Sequence, residues 1–254
     1  GNNATNGDGG VINMAGGTVT ISGAKLTGNS TSQYGGAVYL YNGVTATMTG
    51  GEISNNHAGK EGGAVHVFYK NSTFNLSGGI ITGNSSVDGG AIYLNQEPSV
   101  LNMTGGIISG NTATGNGGAV YIYRSGSVCN LSGGTIENNT AKSGGGIYVN
   151  PSNNGQLKIS DNPVVNGNTA SGDANNVYLP SGKKLSISAA MSSGASIGIT
   201  TESKNYPVVF SGKYGQDYSD YFFADAADAH PAGPGAHAPS PWGAAAWSRA
   251  ARAR

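Results

Sequence analysis

One feature governs what this chain can fold into: it repeats itself. The motif Gly-Gly-Ala-Val/Ile-X-Leu/Val/Ile begins at Gly35, Gly62, Gly89 and Gly117, with a close variant at Gly144 and looser ones at Gly9 and Asn175. From Gly9 to Gly144 the starts lie 26, 27, 27, 28 and 27 residues apart. A second motif recurs in register inside each repeat, as TATMTGGEISNN at 45–56, STFNLSGGIITGN at 72–84 and SVLNMTGGIISGN at 99–111. Self-similarity at a period of 20–50 residues marks a stacked architecture in which no single repeat buries its own apolar face.

Apolar and polar residues alternate within each repeat, as in Val38-Tyr39-Leu40 and Phe74-Asn75-Leu76. A period of two means strands with one face inward. Three short strands fit in a repeat, separated by Gly, Asn and Ser at turns. With no helix to cover a sheet, each strand pairs with its counterpart one repeat later. The expected fold is all-β: a right-handed parallel β-helix, a three-sheet solenoid with rungs of about 27 residues. Seven or eight turns at about 4.8 Å per rung give a rod of roughly 35–40 Å. Matching letters should then touch in space. Val38, Val65, Ile92, Val120, Ile147 and Val177 form one inward column. Ile21, Met48, Leu76, Met103, Leu131, Ile159 and Ile187 form a second, and Leu26, Ile53, Ile81, Ile108 and Ile136 a third. Asn29, Asn56, Asn84, Asn111, Asn139 and Asn168 fall at one turn, where stacked amides can bond along the axis. The paired glycines imply close backbone approach or positive φ.

This places regular repeats at 1–174 and degenerate terminal coils with a cap at 175–223. Residues 224–254 are rich in Ala and Pro and hold three of the four Arg, so they read as a low-complexity tail, disordered or foreign. The chain opens on Gly1 without a signal segment and the first coil has no visible cap, which reads as a piece of a longer surface polypeptide.

Composition excludes more than it assigns. Thirteen basic residues balance thirteen acidic ones with no basic block, so no nucleic-acid partner is expected. No apolar run is long enough for a membrane-spanning helix, so no membrane insertion is expected. A single cysteine, Cys129, falls in the inward column of Val19, Ala46, Phe74 and Leu101, and reads as an inert buried thiol. His57 and His66 lack a second ligand at metal spacing, so neither a metal nor any other cofactor is expected. Acidic residues are scattered, except that Glu61 and Asp88 both precede a glycine pair and would lie about one rung apart, close enough to share a cation or raise each other's pKa. Turn residues would look the same. Thr47, Asn75, Asn102 and Asn130 lie on an outward face that reads as ordinary solvated strand.

The most suggestive column is Tyr39, His66, Tyr93, Tyr121, Tyr148 and Tyr178. It sits between two inward aliphatics, so alternation points it outward. An exposed aromatic ladder suits a sugar or an extended partner chain, whereas stacked Tyr also simply stabilises a parallel sheet.

GGAV at 35–38, 62–65 and 117–120, GGAI at 89–92, and the LTGN, ISNN, ITGN, ISGN and IENN elements between 26 and 139 resemble the GGA[I/L/V] and F-X-X-N repeats of chlamydial polymorphic outer-membrane proteins. They are also similar to β-helix repeats in surface proteins of Gram-positive bacteria. This resemblance implies a non-enzymatic, adhesin-like solenoid at a bacterial cell surface, with carbohydrate or a host surface protein as the partner along the Tyr column. The alternative is a polysaccharide lyase or glycoside hydrolase of pectate-lyase-like fold, with carboxylates near Glu61 and Asp88.

Overall fold

The strand Val38–Tyr41 shows how the repeat becomes a rod. It pairs in parallel with Val65–Phe68, which pairs with Ile92–Asn95, then Val120–Ile122, Ile147–Val149 and Val177–Leu179. Each register is that of the sequence motif: Val38 opposes Val65, Val65 opposes Ile92, and Ile92 opposes Val120. The other two strand families do the same, through Thr45–Met48 on Ser72–Leu76 and Glu52–Ser54 on Ile80–Thr82. In this computed structural model the described residues are 1–5, 7–96, 98–181, 183–202, 209–211, 218 and 220–225. Among them there is no helix, and the parallel β-solenoid runs for about eight turns. The expected tail lies outside the described residues, apart from Ala224 and Asp225. Ala224 ends the strand Phe222–Ala224, and the Asp225 backbone N–H donates to the Ile199 carbonyl.

Each rung also carries a fourth, two-residue strand just after the Asn column, as in Ser30–Thr31, His57–Ala58 and Ser85–Ser86. These form an eight-stranded sheet of their own. Two residues are too few to show a periodicity, and the sequence reading did not count them.

The interior is a set of aliphatic columns. Val38, Val65, Ile92, Val120, Ile147 and Val177 are all fully buried, as are Met48, Leu76 and Met103 in the second column and Ile53, Ile81, Ile108 and Ile136 in the third. Each such side chain contributes about 1.5–3 kcal/mol before its lost entropy is counted. At the N-terminal end Ile12, Met14, Val19 and Leu26 are only partly buried, because no rung lies beneath them.

The two glycines of each pair have different jobs. The first, at Gly35, Gly62, Gly89, Gly117 and Gly144, holds φ between +63° and +69°, a region L side chains avoid. The second lies against the next rung: a Cβ on Gly90 would stand 2.3 Å from the Gly118 carbonyl oxygen and 2.6 Å from the Thr112 carbonyl carbon. Both neighbours are backbone and cannot move aside cheaply.

Regularity ends after Asn168. Thr169–Ala170 turns back as an antiparallel hairpin onto Asp173–Ala174, and the chain re-enters the glycine-motif sheet at Val177, stacked on Ile147. Thereafter Ile199 stacks on Val177 and Phe222 on Ile197, and both side chains join the core.

Candidate functional site

The outer face of the Val38–Tyr41 sheet carries the aromatic column that sequence alternation singles out. The rungs stack it as expected, with Tyr39 opposite His66, His66 opposite Tyr93, then Tyr121, Tyr148 and Tyr178 in line. The expected exposure of the whole ladder is overturned. Tyr39 is 9% exposed, His66 1%, Tyr93 2% and Tyr121 5%. Only Tyr148 and Tyr178 remain half-buried.

Flanking side chains on the same face explain the burial. Two residues further along the strand the column reads Tyr41, Phe68, Asn95 and Tyr123, and before the glycines it reads Tyr34, Glu61, Asp88, Asn116 and Ser143. Tyr34 packs edge-on to His66 at 5.1 Å, Phe68 stacks on Tyr39 at 6.1 Å, and Tyr123 lies 5.6 Å from both Tyr93 and Tyr121. Tyr41, Phe68 and Tyr123 share the outward face by the same period of two, so that much of the signal was legible, whereas Tyr34 lies across the glycine pair and outside that period. Beside Tyr148 and Tyr178 the flanks hold Ser143, Asn150 and Asn175 instead, and the rings emerge. The ring geometry changes there too. Tyr93–Tyr121 and Tyr121–Tyr148 meet at 86° and 87°, whereas Tyr148 and Tyr178 lie parallel at 3°, all with centroids 5.1 Å apart. Each such pair adds about 0.5–1.5 kcal/mol beyond its buried area.

Burial raises the phenol pKa of Tyr39, Tyr93, Tyr121, Tyr148 and Tyr178, so all stay neutral. His66 is the exception in kind. Four rings surround it, those of Tyr34, Tyr39, Phe68 and Tyr93, and neither ring nitrogen has a hydrogen-bond partner. Burial pushes its pKa down to about 3, so it is neutral.

Glu61 and Asp88 are brought together, as their spacing predicts, by a parallel bridge. Burial, and then the charge of Asp88, raise the Glu61 carboxyl. Asp88 itself serves the turn: its Oδ1 accepts from the Asn116 backbone N–H at 2.7 Å and from Asn116 Nδ2 at 3.1 Å. Three cations lie over aromatic rings around this strip, Lys60 over Tyr34 at 5.2 Å, Lys70 over Tyr69 at 5.5 Å and Arg124 over Tyr123 at 4.7 Å. Among the described residues no three His, Cys, Asp or Glu side chains converge as a metal site would need. The outward Asn face is more ordered than solvated strand implies. Asn130 Nδ2 donates to Asn102 Oδ1 and Asn102 Nδ2 to Asn75 Oδ1, both at 2.8 Å.

Cys129 is buried, as its column predicts, and burial pushes the thiol up to about 12. Because only the thiolate reacts, native protein at pH 8 is expected to resist iodoacetamide for hours, while denatured protein is alkylated completely. Mass spectrometry showing stoichiometric native labelling would contradict the buried placement.

The matched repeats fall on this frame. Residues 105–123 and 133–150 match the model of the Chlamydia polymorphic membrane protein repeat. These two stretches are successive rungs, with Ile108 on Ile136, Val120 on Ile147 and Tyr121 on Tyr148. Comparison with curated proteins and with solved structures returned no match in either case. The chain is thus a parallel β-solenoid in which two successive rungs match the Chlamydia polymorphic membrane protein repeat.

Proposed function

We propose that the chain is a non-enzymatic, adhesin-like rod exposed at a bacterial cell surface, and that it contacts carbohydrate through the emergent end of its aromatic strip. The observation that carries the structural part is the direct stacking of the two matched repeats as consecutive rungs of one continuous core. For the contact, support comes from Tyr148 and Tyr178, the members of the column whose rings reach solvent. Half-exposed phenol rings among Asn and Ser offer an apolar face beside neutral hydrogen-bonding groups, the combination a sugar ring presents in return.

The test is a glycan array of neutral and acidic oligosaccharides probed with wild type and with a Tyr148→Ala, Tyr178→Ala double variant. Binding that falls at least tenfold in the variant is the expected outcome. Binding that survives the change, or none on the array, would remove the contact while leaving the rod. Tyr93 and Tyr121 are unsuitable targets, since truncating them would open the packed strip. One observation favours an enzyme instead, the raised carboxyl of Glu61 beside Asp88. Incubation with pectin and alginate separates the two readings: an ultraviolet-absorbing product would establish a lyase.

A further inference from the structure

The asparagine ladder has a direction and an end. In each rung the backbone N–H and the Nδ2 of one Asn both donate to the Oδ1 of the Asn one rung later. Asn29 does so to Asn56 at 2.9 and 2.8 Å, and Asn139 does so to Asn168 at 3.0 and 2.8 Å. The backbone N–H and one Nδ2 hydrogen of each amide therefore point toward the C-terminal end of the rod, while Nδ2 also meets a carbonyl of the rung before, as Asn111 does at Ile81 and Asn139 at Ile108. The hairpin after Asn168 brings the next member early: Asn168 donates to Asn176 Oδ1 at 2.9 and 2.8 Å, across only eight residues.

Asn176 is 2% exposed and its own two donors need a partner. Asp225 supplies it, from 49 residues away. The Asn176 backbone N–H meets Asp225 Oδ2 at 2.6 Å and Asn176 Nδ2 meets Oδ1 at 2.6 Å, while the Thr200 hydroxyl donates to Oδ2 at 2.9 Å. Strand Phe222–Ala224, seated on Ile197–Ile199, delivers the carboxylate. Gly198 leaves room for it, since a Cβ there would lie 2.4 Å from both Asn176 Nδ2 and Asp225 Oδ1. An Asn at this place would accept the two bonds on one oxygen and offer fresh donors to another rung. A carboxylate accepts on both oxygens and offers none.

We propose that the C-terminal end of the ladder is a carboxylate-binding site, formed by the Asn176 backbone N–H, the Asn176 amide and the Thr200 hydroxyl, which Asp225 fills as an internal ligand and thereby ends the amide ladder. Charge-assisted hydrogen bonds are the strong ones, and vacating the site leaves three donors without an acceptor. A small free carboxylate of the same chemistry should then enter it.

Formate is the probe, added to the full chain at constant ionic strength against sodium chloride. Asp225→Ala is expected to lower the melting midpoint by about 5 °C, and formate to restore part of that loss along a saturating curve. Wild type and Asp225→Asn, whose site stays filled, should show no such curve. An unchanged midpoint in Asp225→Ala, or an equal formate response in wild type, would overturn the proposal. If Asp225→Ala does not fold, a cycle of Thr200→Val with Asp225→Asn decides. The hydroxyl should matter by several degrees when the carboxylate is present and by much less when it is an amide; equal effects in both backgrounds refute the site.

Discussion

His66→Phe is expected to make the protein more stable, and increasingly so as the pH falls. The ring of His66 is buried with both nitrogens unpartnered, and its pKa lies at about 3 in the folded chain against about 6.5 when unfolded. A lowered folded-state pKa contributes stability that is intact above the unfolded value and is lost as the pH drops toward the folded one. The slope is about 1.4 kcal/mol for each pH unit below 6.5, so roughly 2 kcal/mol is gone at pH 5. Attraction of an imidazolium to a surrounding ring, about 2 kcal/mol or more when desolvated, opposes the several kcal/mol needed to bury an ion, and burial prevails in the lowered pKa. Phe keeps the ring contacts and removes both the titration and two unsatisfied polar atoms, each costing about 1–3 kcal/mol less whatever N–H to ring contact returns. The gain should be about 1 kcal/mol at pH 7.5 and about 3 kcal/mol at pH 5, read from urea midpoints at the two pH values. Glu61 and Asp225 act in the opposite sense, since raised carboxyl pKa values give stability that is present in acid and lost as the pH rises through them. The difference between variant and wild type cancels those groups. A variant with the same pH slope as wild type would show that His66 is not neutral and buried as described.

The same strip shows what the letters carry and what they do not. Inward columns were legible because stacking turns a repeated letter into a contact: Val65 between Val38 and Ile92 needs only the period and the alternation. Both roles of the glycine pair were legible as alternatives, and the rung uses one for each residue. Exposure of the Tyr column was misread because alternation says which face a residue occupies but not how tall its neighbours are. Tyr34, Tyr41, Phe68 and Tyr123 rise beside Tyr39, His66, Tyr93 and Tyr121 and close over them. Asn176 and Asp225 were illegible for another reason. Period counting finds only members spaced a rung apart, and these join the ladder at intervals of eight and 49 residues.

A rod organised this way divides its polar residues sharply. Amides inside the ladder replace water for one another and for the turn backbone, whereas amides on the outer face have water as a substitute. That difference, and not residue type, should decide what each Asn is worth, because an unmet buried polar group costs far more than an average hydrogen bond gains.

Asn111→Ala puts numbers on it. Asn111 is fully buried. Its Nδ2 donates to the Ile81 carbonyl at 3.0 Å, the Ser109 carbonyl at 3.1 Å and Asn139 Oδ1 at 2.9 Å. Its Oδ1 accepts from the Asn84 backbone N–H at 3.0 Å and Asn84 Nδ2 at 2.9 Å. Truncation strands donors on one rung and acceptors on two others, at a cost of about 3–5 kcal/mol. This is a large part of the roughly 5–15 kcal/mol that holds a typical domain together. Asn102→Ala removes two side-chain bonds of 2.8 Å from the outer ladder, but solvent reaches them, and the loss should stay within about 0.5 kcal/mol. Asn111→Asp separates hydrogen bonding from shape. The new oxygen occupies the place of Nδ2 and faces three acceptors, so at pH 7 the isosteric change should be at least as damaging as Ala. Denaturation midpoints that left Asn111→Asp close to wild type would mean that the column fills space and the ladder bonds contribute nothing.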